Sequence, residues 1–124
     1  SAEADGLMPG PAASFRGLYY AAHGSGFPPD TVGDVGPNHY IQAVNTSIGI
    51  FDKSSGALLV NPALTFDQFF PAYVGAPCDN NNRGDPVVLY DPVVGRWLVS
   101  DFAWVNQSTG PFYQCIAVSQ TSDR

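Results

Sequence analysis

Charge is scarce in this sequence, and basic charge scarcest of all. Charged residues make up 13% of the chain, five Lys and Arg stand against eleven acidic residues, and the net charge is −6. That share of charge is about half the usual one. Counterion release from a phosphate backbone needs clustered Lys and Arg, and none cluster here, which argues against nucleic acid and against an anionic membrane surface. Glutamate occurs once, at Glu3, so a Glu-based acid–base pair would have to come from another chain. No apolar run approaches the roughly 18 residues that span a bilayer. Ser1 is not followed by the apolar core of an export signal, so such a signal is expected to have been removed or to lie outside these residues. Sulfur ligands are limited to Cys78, Cys115 and Met8, with His23 and His39 far off in sequence, and zinc wants four ligands at closer spacing. The cysteines form one disulfide or remain two free thiols. Low lysine and high asparagine fit the oxidising setting that the bridge requires.

What is abundant points one way. Hydrophobic residues reach 44%, with 8 Phe, 6 Tyr and 2 Trp among them, and the turn formers are 13 Gly and 11 Pro. One domain of short strands joined by tight turns accommodates that mixture. No long amphipathic helix is visible, and the fold class expected is all-β.

Along the chain, residues 1–26 read as an extended leader with aromatic anchors at Phe15, Tyr19 and Tyr20, and residues 27–124 as the strand-bearing part. "HYIQAVN" (39–45) alternates, with Ile41 and Ala43 on one face and Tyr40, Gln42 and Val44 on the other. "SIGIFDKSSGALLV" (47–60) predicts a hairpin around Lys53–Gly56. "FDQFFPAYV" (66–74) allows one helical turn before Pro71. "CDNNNRGDP" (78–86) reads as a polar loop, followed by strands at 87–91, 96–104 and 112–120. Gly33-Asp34 recurs as Gly84-Asp85, each ahead of a strand, at an interval near the roughly 40–50 residues of a propeller blade.

Three stretches, "PPDTVGDVGPNHYIQAVNTSIGIFDKSSGALL", "GDPVVLYDPVVGRWLVSDF" and "YQCIAVSQTSD", occur in order over about residues 27–123. Together they resemble a family of exported, mostly bacterial β-propeller proteins, many without assigned biochemistry. The resemblance implies an antiparallel β-propeller segment; a β-sandwich is the alternative. It also implies export, and both cysteines fall where such proteins carry a pair. At about 40–45 residues per blade, two to three blades fit, which leaves the ring incomplete. The expected partner is therefore the remaining blades of the same protein or a second chain. Arg124 is the terminus a trypsin-like protease would leave.

Candidate sites follow from the polar loops. Asp30, Asp34 and Asn38 offer oxygens suited to calcium, although they lack EF-hand spacing; the competing reading has Asp30 and Asp34 capping turns. Asp79, Asn80, Asn81, Asn82 and Arg83 offer donors and acceptors suited to sugar hydroxyls. Arg83-Gly84-Asp85 is also the tripeptide integrins read. Trp97 and Trp104 fall on opposite faces of one strand by parity, with Trp97 the core residue. "HGSGF" (23–27) is no nucleophile elbow. Asp34, Asp85 and Asp101 are the carboxylates available to a hydrolase. The expected role is a secreted, non-catalytic module for binding polysaccharide or protein. Its alternatives are part of an extracellular hydrolase or lyase site and a structural subunit of a secreted assembly.

Overall fold

The computed structural model describes residues 10–24, 26, 28–71 and 74–123. Among the described residues the chain is all-β, with two antiparallel sheets, no closed barrel, and two short helical turns. That arrangement is compatible with a partial propeller or with a sandwich.

Sheet A contains β1 (Val32–Val35), β2 (His39–Val44), β3 (Ser47–Asp52) and β4 (Leu64–Thr65), in that order. The alternation in β2 does what its period dictates. Ile41 and Ala43 join Ile48 and Ile50 in the main core, while Val44 and Phe51 form a second cluster on the opposite face. Residues 15–18 cover that second face. Phe15 lies against Tyr40 and Phe51, with ring centroids 6.0 and 5.6 Å apart. Leu18 donates its N–H to Gln42 Oε1 at 2.8 Å and accepts from Gln42 Nε2 at 3.2 Å. The aromatic anchor at Phe15 thus holds part of the leader on the sheet; α1 (Tyr20–His23) follows it.

Two segments differ from the sequence reading. Residues 28–38, whose Asp30, Asp34 and Asn38 were expected in polar loops, contain β1, which the Gly36-Pro37-Asn38 turn folds back onto β2. The second arm of the 47–60 hairpin is reduced to one bridge, Phe51 to Leu58, and β4 takes the next place beside β3. The turn itself is built by Asp52, whose Oδ1 accepts from the main-chain N–H groups of Ser54 and Ser55 at 3.0 and 2.8 Å. These bonds and the two serine hydroxyls hold the Asp52 carboxyl down at about 2. Gly56 closes the turn with φ 75°, a conformation only glycine adopts without strain.

Helix α2 (Phe66–Phe69) starts at a Thr65 capping box with Gln68. It drops Phe66 and Phe70 into the core, both nearly sealed from solvent.

Sheet B contains β5 (Asn82–Asp91), β6 (Arg96–Ala103) and β7 (Tyr113–Val118). Strand β5 begins five residues before the expected 87–91, so Asn82 and Arg83 belong to the sheet rather than to a loop. Its pairing with β6 shifts register twice, between Asn82 and Gly84 and between Gly84 and Val87. Those shifts admit Pro86, which has no N–H to give a regular ladder.

The sheets pack face to face. Val88, Trp97, Val99, Ala103 and Cys115 of sheet B meet Ile41, Ala43, Ile48 and Ile50 of sheet A. One polar pin crosses the junction: Tyr90 donates its N–H to Asp34 Oδ2 at 2.7 Å, while Asp34 Oδ1 accepts from Val35 N–H at 2.8 Å. Gly36 lies under the Trp97 indole so closely that a Cβ there would meet the ring at 2.6 Å.

Cys78 and Cys115 form a disulfide, S–S 2.05 Å, and tie the segment after α2 to β7. Closing a loop of 37 residues restricts the unfolded chain by about 2–4 kcal/mol. The double variant Cys78→Ala/Cys115→Ala should lose about that much stability in urea titration, with its far-UV spectrum unchanged. An unshifted midpoint would mean that sheet contacts alone constrain the segment.

Candidate functional site

The candidate site lies where the shifted start of β5, the end of β6 and the 104–110 turn converge. A cavity of about 560 Å³ opens there, lined by Arg83, Asp85, Phe102, Trp104, Val105 and Gln107, with Gly84 at its floor. The two-residue alternation of β5 faces Arg83 and Asp85 outward. Gly84 has φ 116° and Asp85 φ 51°, while Asn82, Gly84 and Pro86 point inward.

Arg83 is oriented by its surroundings. Its Nε donates to the Trp104 carbonyl at 2.9 Å and its Nη2 to Asn81 Oδ1 at 3.0 Å. Its other terminal nitrogen faces no partner among the described residues. Trp104 stands beside it, edge-on to Phe112 at 5.7 Å and 6.5 Å from Phe102. Trp97, by contrast, is 2% exposed and donates Nε1–H to the Ser122 carbonyl. Trp97 is thus the core residue, as expected, whereas Trp104 lies just beyond the end of β6 and is half-buried.

The rest of the expected polar loop does other work. Asn82 is buried and donates from Nδ2 to Asp67 Oδ1 and to the Cys78 carbonyl, and its N–H reaches Asp67 Oδ1 at 3.0 Å. It seals the disulfide corner and is unavailable to a ligand. Asn80 and Asn81 bond to each other. Asp79 is half-buried, and its Oδ1 is sealed from water without a hydrogen-bond partner. Of the five residues read as ligand-binding, only Arg83 lines the cavity.

Asp30, Asp34 and Asn38 are likewise engaged by three different partners. Asp34 bonds the main chain of β1 and β5 as above. Asn38 donates to Asp123 Oδ1 at 2.8 Å. The Asp30 carboxyl shares a hydrogen bond with that of Asp85, which raises it above the ordinary value, and desolvation adds to the effect. Among the described residues no group of three His, Cys, Asp or Glu side chains is placed to hold a metal ion. In "HGSGF", His23 Nδ1 pairs with the Tyr19 main chain, and Ser25 and Phe27 lie outside the described residues.

A larger cavity, about 1060 Å³, separates the 12–17 segment from sheet A near Tyr40 and Lys53. Its charged groups already serve the fold: Asp52 caps its turn, and Lys53 Nζ donates to the Gly36 carbonyl at 3.2 Å. The cavity beside Trp104 retains unengaged polar atoms and is the stronger site.

Behind that cavity sits a residue whose state sequence could not disclose. Asp101, opposite Cys115 in the ladder, is fully buried. Neither oxygen has a well-formed hydrogen bond; the nearby Gly84 and Phe102 N–H groups counter the shift only in part. Burial therefore pushes its carboxyl up to about 8, and the charges of Asp67 and Asp85 add to this. A buried carboxyl without donors is far cheaper as the neutral acid.

No family model, curated protein or solved structure matches this chain.

Asp101 makes stability depend on pH with a definite sign. The folded value lies above the unfolded one, so the folded state binds the extra proton; stability is full below about pH 4 and declines until about pH 8. Asp101→Asn removes that loss, amounting to several kcal/mol at most, on the order of 5. Thermal melts from pH 4 to pH 9 should show the variant gaining on the wild type as pH rises. Parallel melting curves for the two proteins would place the Asp101 charge in contact with water.

Proposed function

We propose that this chain is a non-catalytic binding module of an extracellular, propeller-type protein, and that the cavity beside Trp104 takes a polyhydroxylated ligand of the glycan class. The observation that carries this reading is the meeting of two aromatic rings, Trp104 and Phe102, with the Arg83 guanidinium, the Gln107 amide and the Asp85 carboxyl around one concave space. Ring faces pack the C–H face of a sugar. Planar amide and guanidinium groups bond pairs of neighbouring hydroxyls. The disulfide supports an oxidising compartment. Among the described residues no helix is long and apolar enough to cross a membrane.

A second reading, that the module belongs to a larger β-sheet assembly, has its own observation in its favour. Much of the outer face of sheet B is apolar, with buried Ser100 as a polar interruption on the middle strand. Leu89, Leu98 and Val118 form one row, and Val87, Ser100 and Ile116 the next. Leu89, Ile116 and Val118 are 54, 61 and 60% exposed, whereas both faces of sheet A are covered. A further sheet with an apolar inner face is the occupant that such rows fit, in the manner of sheet-on-sheet packing.

Titration with neutral and acidic oligosaccharides, followed by tryptophan emission, tests the first reading. Buried Trp97 serves as the internal reference. Trp104→Ala should weaken binding at least about tenfold, roughly 1.4 kcal/mol or more, without altering the far-UV spectrum. Failure to bind any sugar, or equal affinity in the variant, would remove the glycan reading. For the second, Ile116→Lys with Val118→Lys should abolish hydrophobic-dye binding at a stability cost below about 1 kcal/mol, as for exposed sites. A core-like loss of stability would show that this face is already packed.

A further inference from the structure

The chain holds two Asp–Pro bonds, Asp85–Pro86 and Asp91–Pro92. An aspartate before proline is prone to intramolecular cleavage. Its carboxylate reaches its own main-chain carbonyl carbon through a five-membered ring, and such ring closures enjoy a large proximity advantage. The prolyl nitrogen also departs as a basic secondary amine.

The structure treats the two bonds differently. Asp91 ends β5 in an ordinary turn, and its Oδ1 accepts from Val93 N–H at 2.9 Å. Asp85 lies in the shifted part of β5 with φ 51°, although a following proline ring confines its predecessor to extended backbone. A non-glycine residue held at positive φ stores conformational energy that breaking the next bond releases. Asp85 is exposed to the cavity, so water reaches it. Its carboxyl also shares a hydrogen bond with the carboxyl of Asp30, itself at φ 49° in the segment before β1.

We propose that Asp85–Pro86 is a self-cleavage site, in which the Asp85 carboxylate attacks its own main-chain carbonyl carbon and Asp30 protonates the departing Pro86 nitrogen. In the first step a C–O bond forms, the C–N bond breaks, and the proton passes from the Asp30 carboxyl to nitrogen, leaving a cyclic anhydride at residue 85. Water then opens the anhydride to two carboxyl groups. One of their protons restores Asp30 and the other charges the new Pro86 amine. Nothing is oxidised or reduced, and one water is consumed. The step needs Asp85 ionised and Asp30 protonated. The hydrogen bond to Asp85 keeps the proton on Asp30 to higher pH than usual, which suits Asp30 to the acid's part. The other charged groups around the pair are Arg83 on β5, which lines the same cavity, and buried Asp101 on β6, with Asp67 of α2 beyond it. The inference is independent of any glycan ligand. The Cys78–Cys115 bridge spans the bond, so both pieces remain joined after the cut.

The oxidised protein, incubated in mildly acidic buffer at about pH 5, is followed by intact mass with and without reductant. The mass should rise by one water, and reduction should release fragments 1–85 and 86–124. Cleavage at Asp85–Pro86 should outpace that at Asp91–Pro92 by about tenfold or more, and slow as pH rises through neutrality. In concentrated urea, with the backbone relaxed, the two bonds should be cut at similar rates. Asp85→Asn should abolish the fast cut, and Asp30→Asn should slow it and move its pH optimum downward. Equal rates at the two bonds in the folded chain would overturn the proposal. So would an uncut folded chain over the time in which the urea-unfolded chain is cleaved, and both comparisons stand even if a variant fails to fold.

Discussion

The contact between the two sheets is the constraint on which the molecule rests. Ile41 and Ala43 of sheet A press on Val88, Trp97 and Val99 of sheet B, and removing those faces from water is the main favourable term. The hydrogen bond from Tyr90 N–H to Asp34 helps fix how the apolar faces slide relative to one another. Dispersion is indifferent to register, whereas a carboxylate accepting one N–H from each of two sheets is not. Gly36 beneath Trp97 adds the steric half of the same constraint. The C-terminal segment closes over it: Trp97 N–H reaches the Ser119 hydroxyl at 2.8 Å, and Asn38 holds Asp123.

From that contact the odd chemistry of sheet B follows. The inward face of β6 carries Trp97, Val99, Asp101 and Ala103 in alternation, so docking the sheets buries Asp101 as surely as its apolar neighbours. A charge trapped in this way has only protonation as relief. The shifts in β5 have the reverse effect. They loosen the pairing with β6 while the in–out alternation of β5 continues, and that alternation carries Arg83 and Asp85 to the mouth of a cavity. Core and site are two outcomes of one register.

Much of the fold was legible because period-2 patterning survives in β2, β6 and β7. Ile41 and Ala43 share the core face as their spacing requires, and Trp97 lies in the core. The polar strands were not legible. In β1, Gly33 and Asp34 mimic a loop, and pairing with β2 overrides their weak strand propensity. In β5, Gly84, Asp85 and Pro86 are turn formers that the irregular ladder absorbs. That misreading placed Asn82 in a ligand loop, whereas its amide closes the disulfide corner. The Gly-Asp repeat falls within the first strand of each sheet rather than ahead of a strand. The state of Asp101 depends on what faces it across the ladder and across the sheets, and no local pattern carries that information.

Each sheet is a meander in which every strand pairs with its sequence neighbour, in the orders β1-β2-β3-β4 and β5-β6-β7. Forming either one requires only short loops to close, and short closures are fast. The halves can therefore assemble separately, like two hands clasping, before the encounter that brings Trp97 over Gly36.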